Sequence, residues 1–441
     1  MRILHTSDWH LGRTFHGRVL DDAHAAFADH LVELVAAESV DAVLVAGDVY
    51  DRAIPPNDAV ALLDETLRRL TERTRVVLTP GNHDSAPRLG FAADLMREGL
   101  IIRARTAGLD RGIILPDADG NDAAIVHALP YLDPDAAREI LPPLLTERLG
   151  EETPAKHTVG EDQDESGDTA SHPDSPERPR LPRSHEAVVS AALRLVAADL
   201  DRLRAGRSRR LPSLLMAHAF VVGGEACESE RDIRVGGVDS VPSGVFTTLG
   251  GSPLAEHSGG LDYVALGHLH RPQELTRPTG PRLVYSGSPL PFSFDEAEGA
   301  RNSATKSSVL LDLSADGVTG CERIPTPVLH QVRTLTGTMP ELLSPAFDDA
   351  TGAWVRVILQ GERPPGALAT LKERFPDLLA FQHEAPTRTA RERITVTAAA
   401  DPLRITEDFF DDVCGRAPEP SERGVLRSAY ESALASARSE R

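Results

Sequence analysis

The first 130 residues alternate between two patterns of apolar positions, one typical of buried strands and the other of amphipathic helices. Short apolar runs at 43–46 and 76–78 are typical of strands that are buried on both faces. The stretches 21–38 and 57–70 instead carry apolar residues at helical spacing. This alternation of strand and helix predicts an α/β core that is built in layers.

The pattern changes twice, and the changes divide the chain. Residues 151–180 hold nine acidic residues, three basic residues and four prolines with few apolar positions, which is typical of disordered segments. We therefore predict a first domain of residues 1–325 that contains a disordered acidic insertion at 151–183. A small α+β cap domain is predicted for residues 326–400, and a helical arm for residues 401–441.

The cap and the arm are predicted from their own apolar patterns. Three strands are predicted in the cap at 354–359, 378–382 and 393–397, with a helix at 367–375. The last forty residues carry apolar positions that fit the faces of two amphipathic helices. Because these helices lie far along the chain from the first domain, we interpret them as a docking element for another protein.

Polar residues follow the predicted strands of the first domain in five short blocks. These blocks are Asp8-Trp9-His10, Gly47-Asp48, Gly81-Asn82-His83-Asp84, His218 and Gly267-His268-Leu269-His270. Open α/β sheets bind ligands beyond the carboxyl ends of their strands, so we expect the blocks to form one site at one edge of a sheet. Carboxylate, carboxamide and imidazole ligands suit Mn²⁺ or Fe²⁺ and accept Zn²⁺. The blocks therefore predict a two-metal site for phosphoester hydrolysis.

Charge and cysteine content narrow the interpretation. The formal net charge is −20, so phosphate backbones repel the chain as a whole and any DNA affinity must be local or supplied by a partner. Taken alone, this charge favours a small-molecule phosphatase. Three dispersed cysteines suggest neither a disulfide framework nor a thiolate metal site. Early charge at the start of the sequence and the lack of a long apolar run predict a cytoplasmic protein.

Together, the five blocks resemble those of the calcineurin-like metallophosphoesterase superfamily. Within it, the chain resembles nuclease subunits that work with a coiled-coil ABC-type ATPase. This closer resemblance rests on the stretches 1–12, 262–272 and 285–296, and it extends to the cap and the arm. The fold that it implies is a layered metallophosphoesterase sandwich.

The resemblance also implies a role for each site residue. One ion would be held by Asp8, His10, Asp48 and His270. The second ion would be held by Asp48, Asn82, His218 and His268, so that Asp48 bridges the two. His83 would act as the general acid for the departing oxygen, and we further hypothesise that Asp84 orients it. Two Mn²⁺ ions are the expected cofactors, with Fe²⁺, Zn²⁺ or Mg²⁺ as alternatives.

The implied function is DNA hydrolysis, as an exonuclease on duplex ends and an endonuclease on hairpins or single strands. It would serve DNA repair, recombination and end processing during replication. The implied partners are the coiled-coil ATPase, DNA and a second copy of the chain, forming a homodimer within a heterotetramer. The main alternative is a stand-alone metallophosphatase or cyclic-nucleotide phosphodiesterase, which would share every ligand but needs neither cap nor arm. A scaffold with a relic site would lack a ligand, and none is replaced here.

Overall fold

A computed structural model describes residues 1–96, 99–151, 179–230, 240–254, 259–275, 279–297, 306–385, 402–414 and 416–439. The chain divides into two compact units, Met1–Glu384 and Ala385–Arg441. Most of the predicted acidic insertion (152–178) and the predicted strand at 393–397 lie outside the described residues.

The strands of the described chain are numbered in order. They are β1 (Arg2–Thr6), β2 (Thr14–Phe15), β3 (Arg18–Val19), β4 (Ala42–Ala46), β5 (Arg75–Thr79), β6 (Leu100–Ile102), β7 (Ile113–Pro116), β8 (Asp122–Ala128), β9 (Ser213–His218), β10 (Tyr263–Gly267), β11 (Gln273–Leu275), β12 (Arg282–Tyr285), β13 (Ser307–Ser314), β14 (Gly317–Pro325), β15 (Val332–Gly337), β16 (Trp354–Gln360) and β17 (Leu378–Glu384). Each of the five strands expected before a polar block is therefore confirmed.

The α-helices are numbered in the same way. They are α1 (Asp21–Ala37), α2 (Asn57–Thr71), α3 (Ala86–Leu89), α4 (Pro134–Leu149), α5 (His185–Arg204), α6 (Gly244–Thr247), α7 (Phe294–Ala297), α8 (Met339–Leu342), α9 (Ala367–Arg374), α10 (Pro402–Cys414) and α11 (Pro420–Ser439). Short 3₁₀ turns occur at Ala93–Leu95, Thr106–Gly108 and Pro345–Ala350.

Two six-stranded sheets form the core of the described first unit. One has the order β14-β13-β1-β4-β5-β6, and the other has the order β11-β12-β10-β9-β8-β7. In the first, β1, β4, β5 and β6 are parallel, and in the second β8, β9, β10 and β12 are parallel. The expectation of a site at the edge of one sheet was wrong, because the polar blocks follow strands of both sheets.

The side chains of the central strands explain the long apolar runs in the sequence. In β4, Leu44 belongs to the core between the sheets, whereas Val43 and Val45 belong to the core beneath α1 and α2. In β9, Met216 faces the other sheet while Leu215 packs in the core that includes α4 and α5. Successive strand side chains point to opposite faces, so a strand covered on both sides has no exposed position.

A third, three-stranded parallel sheet of β15, β16 and β17 lies within the same compact unit. Its own core includes Leu335, Val357 and Leu371. A separate cluster joins Trp354 of this sheet to Phe292, close to the polar blocks. The predicted strands at 354–359 and 378–382 and the predicted helix at 367–375 are thus present, and the division into domains stays a prediction.

The second unit contains the two helices that were predicted for the arm, α10 and α11. Phe409, Val413 and Val425 expose 68%, 65% and 69% of their surface there. No helix in the described parts of the chain has both the length and the apolar character needed to cross a bilayer.

Candidate metal centre

The turns that follow β1, β4 and β10 hold the chain in an unusual conformation. Asp8, His10, Asp48 and His268 have φ angles of 55°, 47°, 48° and 104°. Positive φ values are uncommon for residues other than glycine and cost about 1–3 kcal/mol each. Such strain persists where the surrounding structure enforces it, typically at functional sites. All four residues were predicted as metal ligands from the sequence.

Glycines within the polar blocks allow the two sheets to approach each other at this point. A Cβ atom on Gly47 would clash with the imidazole of His218, and one on Gly81 would clash with the carboxylate of Asp48. A Cβ atom on Gly267 would clash with the carbonyl oxygen of Ala46. The glycines therefore act by leaving space for ligand side chains and for the backbone that supports them.

The Asp48 carboxylate lies between the two groups of predicted ligands. Its Oδ1 accepts a hydrogen bond of 2.8 Å from the backbone N–H of His83. Its Oδ2 lies 3.6 Å from Nε2 of His10 and 3.4 Å from Nε2 of His218. One oxygen is thus fixed by the protein, and the other faces a histidine from each predicted ligand group.

The first ligand group contains Asp8, His10 and His270, all of them buried. Nε2 of His10 lies 3.0 Å from Nε2 of His270. Asp8 accepts hydrogen bonds from the backbone N–H of His268 at 2.9 Å and from Ser7 Oγ at 2.5 Å. We call this group, together with Asp48, the first position.

The second ligand group surrounds the side-chain oxygen of Asn82. Asn82 Oδ1 lies 2.9 Å from Nε2 of His218 and 3.3 Å from Nδ1 of His268. Nδ1 of His218 lies 3.0 Å from the carbonyl oxygen of Ala46, which fixes Nδ1 as the donor and leaves Nε2 to bind a ligand. We call Asn82, His218 and His268, together with Asp48, the second position.

The charges of the site fit bound cations. Burial would raise the pKa of Asp48, but nearby imidazoles, His218 first, hold it well below its usual range, so Asp48 is ionised. Burial would lower the pKa of His218, but the Asp48 carboxylate outweighs this effect and raises the pKa to about 9, so a metal that binds at Nε2 must displace a proton from this ring. Burial lowers the pKa of His10 and His268 well below the ordinary value, leaving both neutral and able to bind a metal.

Three sets of residues in this site bring their donor atoms together. Within each set, the donor atoms lie within 4.8 Å of one another. The sets are Asp8, His10 and His270; His10, Asp48 and His83; and Asp8, Asp48 and His218. The donors are oxygen and nitrogen, which suits first-row divalent ions such as Mn²⁺. The residues present therefore fit a two-metal centre, with Asp48 lying between the two ligand groups.

His83 and Asp84, the two predicted catalytic residues, lie beside Asp48 on the loop after β5. Nδ1 of His83 lies 2.7 Å from the carbonyl oxygen of Asp51, and its Nε2 lies 3.9 Å from Asp48 Oδ2.

Asp84 accepts hydrogen bonds from the backbone N–H groups of Val49, Tyr50 and Gly81 at 2.9–3.0 Å. Asp84 therefore ties together the two loops that carry Asp48 and His83. A direct role in orienting the imidazole stays a prediction.

Sequence reasoning missed the residues that surround His270. The ring of Phe292 lies 5.2 Å from His10 and 5.4 Å from His270 between ring centres, and the Arg13 guanidinium lies 4.8 Å from the Phe292 ring. Ser229 Oγ lies 2.6 Å from Nδ1 of His270. Local patterns give no sign of these contacts, because each joins segments that are far apart in the sequence.

Comparison with known proteins agrees with this geometry. Residues 1–129 match the model of the calcineurin-like phosphoesterase family. The SbcD subunit of the nuclease SbcCD from Rhodobacter capsulatus is 35% identical over 431 residues, which cover 92% of this chain and 91% of that protein. Such identity over nearly the whole of both chains makes them members of one family.

Two solved structures show a distant similarity to this chain. Protein TT1561 of Thermus thermophilus is 15% identical, with a TM-score of 0.35 and coverage of 73% of this chain and 98% of that one. A dimetal phosphatase from Danio rerio is 12% identical, with a TM-score of 0.39 and coverage of 74% and 99%.

The bridging role predicted for Asp48 leads to a prediction about metal content. Asp48→Asn should lose more Mn²⁺ than His10→Ala or Asn82→Ala, because Asp48 contributes to both positions and each of the others to one. The measurement is metal content by mass spectrometry after equilibration at limiting Mn²⁺. An Asp48→Asn protein that retains the wild-type stoichiometry would contradict the bridging assignment.

Proposed function

Because the chain belongs to the family of SbcD nuclease subunits, we propose that its metal centre hydrolyses DNA phosphodiester bonds. The observation that carries this proposal is the position of Asp48 Oδ2 between a complete first and a complete second ligand group. We propose exonuclease action on duplex ends and endonuclease action on hairpins or single strands. The proposed roles are DNA repair, recombination and replication-associated end processing, in the cytoplasm.

The proposed first ion is held by Asp8, His10, Asp48 and His270, and the proposed second ion by Asp48, Asn82, His218 and His268. When bound, two divalent ions lower the pKa of water to about 7 and neutralise charge on phosphoryl oxygens. We propose Mn²⁺, with Fe²⁺, Zn²⁺ or Mg²⁺ as alternatives. The protein fixes the shared carboxylate through His83 N–H and the tautomer of His218 through Ala46.

His83 is proposed to donate a proton to the departing oxygen. Its Nδ1–H donates to the carbonyl of Asp51, so the proton for transfer resides on Nε2. Nε2 of His83 lies 3.9 Å from Oδ2 of Asp48, next to the proposed ions. Asp84 supports this arrangement by holding the Asp48 and His83 loops together through three backbone amides.

The net charge of −20 requires a partner or a local site to hold DNA. Homology to the SbcD component of SbcCD implies that this chain works with SbcC. We propose that SbcC is a coiled-coil ATPase that provides much of the binding to DNA. We also propose that two copies of this chain occur in a heterotetramer. A stand-alone phosphatase would use the same ligands, but it would not need the exposed apolar side chains of α10 and α11.

The proposed acid role of His83 can be tested with two substrates. In His83→Ala, both ions should still bind, but turnover on DNA should fall about 10²–10⁴-fold, because general acid help is typically of that size. On a nitrophenyl phosphodiester the defect should be much smaller, because that leaving group needs little protonation. The measurement is turnover on both substrates together with metal content.

His383→Ala is the control, because His383 is an exposed histidine in β17 whose ring contacts the carbonyl oxygen of Gly361. It should behave as the wild type on both substrates. Equal losses on the two substrates, accompanied by missing metal, would make His83 a ligand and remove the acid assignment.

The arm gives a second prediction for the partnership. Phe409→Glu should weaken co-purification with SbcC by about tenfold or more, while Mn²⁺-dependent cleavage of single-stranded DNA by the chain alone stays unchanged. The reason is that Phe409 is 68% exposed in α10, where a charge would disrupt an apolar interface. Leu343→Glu, at an exposed apolar position beside α8, is the matched control. Undiminished binding of SbcC by Phe409→Glu would contradict the docking role.

A further inference from the structure

Two segments of the chain, residues 229–230 and Lys306, converge on His270 and hold it from different sides. Nδ1 of His270 lies 2.6 Å from Ser229 Oγ, and its backbone N–H donates to Glu230 Oε1 at 2.8 Å. Its carbonyl oxygen accepts a hydrogen bond of 2.9 Å from Nζ of Lys306. Both the ring and the backbone of His270 are therefore fixed by residues outside its own loop.

These contacts continue into a buried ion pair. Ser229 Oγ donates to Oε1 of Glu296, and Oε2 of Glu296 accepts from Lys306 Nζ. Both charged side chains are at most 4% exposed. A buried charge is costly unless it is paired and hydrogen-bonded. This ion pair is therefore an integral part of the fold rather than an incidental surface contact.

Lys306 stands out in a chain that uses arginine for almost every basic position. The other lysines are Lys156 and Lys372. The three N–H donors of Lys306 match three acceptors, namely His270 O at 2.9 Å, Ser288 Oγ at 2.8 Å and the Glu296 carboxylate. A compact ammonium satisfies this arrangement, whereas a planar guanidinium with five donors would not.

We propose that Ser229, Glu296 and Lys306 form a relay that positions His270 for the first metal ion. Glu296 accepts from Ser229, so the hydroxyl oxygen of Ser229 is free to accept from Nδ1–H of His270. That fixes the ring as the tautomer whose Nε2 lone pair points toward His10 and the first position. Ligand histidines commonly donate their other N–H in this way. The relay rests on the proposed function, because it acts through a proposed ligand.

The relay also explains an asymmetry between the two positions. In the second position, the carbonyl oxygen of Ala46 in strand β4 fixes His218. In the first position, side chains from two other segments fix His270. A single substitution can therefore weaken the first position while the backbone contact of the second stays intact. Ser229, Glu296 and Lys306 are positioning residues, since each acts through His270.

Two serines provide a matched pair for the test. Ser229 and Ser293 both donate to Oε1 of Glu296, and among the described contacts Ser229 also contacts Nδ1 of the His270 ring.

Mn²⁺ is titrated by calorimetry into the full chain and its Ser229→Ala, Ser293→Ala and Ser229→Thr variants. We expect one of two ions to bind about 10–100-fold more weakly in Ser229→Ala, as for other residues that support ligands. Ser293→Ala should stay within about twofold, and Ser229→Thr, which keeps the hydroxyl, should restore binding.

The outcomes separate the relay from a purely structural role and from the proposed function. Two ions bound by Ser229→Ala with wild-type affinities would overturn the relay while leaving the two-metal centre in place. A lowered melting temperature with unchanged affinities would likewise overturn it. A wild-type chain that binds no Mn²⁺ would overturn the proposed function and the relay together. Should Ser229→Ala fail to fold, Glu296→Gln, which keeps the side-chain size, decides by the same titration.

Discussion

The two oxygens of the Asp48 carboxylate make different contacts, and the rest of the centre depends on this difference. Oδ1 is fixed by the N–H of His83, while Oδ2 faces one histidine from the loop after β1 and one from the end of β9. This arrangement requires two sheets to meet within a few ångströms, which the glycines at 47, 81 and 267 permit. The strained backbone at Asp48 itself is then stabilised by Asp84 and by the buried core on both sides of β4.

Much of the fold could be predicted from the sequence, because strands buried on both faces, such as β4 and β9, produce unbroken apolar runs. The residues that the structure brings together at the centre could be predicted because each polar block directly follows such a run, and their roles as metal ligands stay a prediction. The meeting of two sheets could not, since the pairing of strands depends on contacts between distant segments. For the same reason, Phe292 and Ser229 were missed: a side chain that supports a ligand from a distant loop leaves no local pattern.

The first and the second position are held in place by different kinds of contact. The second position depends on backbone groups of β4 and on Asn82, which are set by the core. The first depends on the loop at 225–230 and on the buried pair of Glu296 and Lys306. Glu228 of this loop lies 3.5 Å from Arg356 of the three-stranded sheet. Side chains thus link the first position to the three-stranded sheet.

We propose that Asp48 joins two metal ions while His83 remains outside their coordination. Anomalous diffraction at the manganese edge, from crystals grown with Mn²⁺, would locate the ions themselves. We expect two peaks about 3.5–4 Å apart, both within ligand distance of Asp48, with His83 bound to neither. A single peak, or two peaks of which one is coordinated by His83 and not by Asp48, would contradict it.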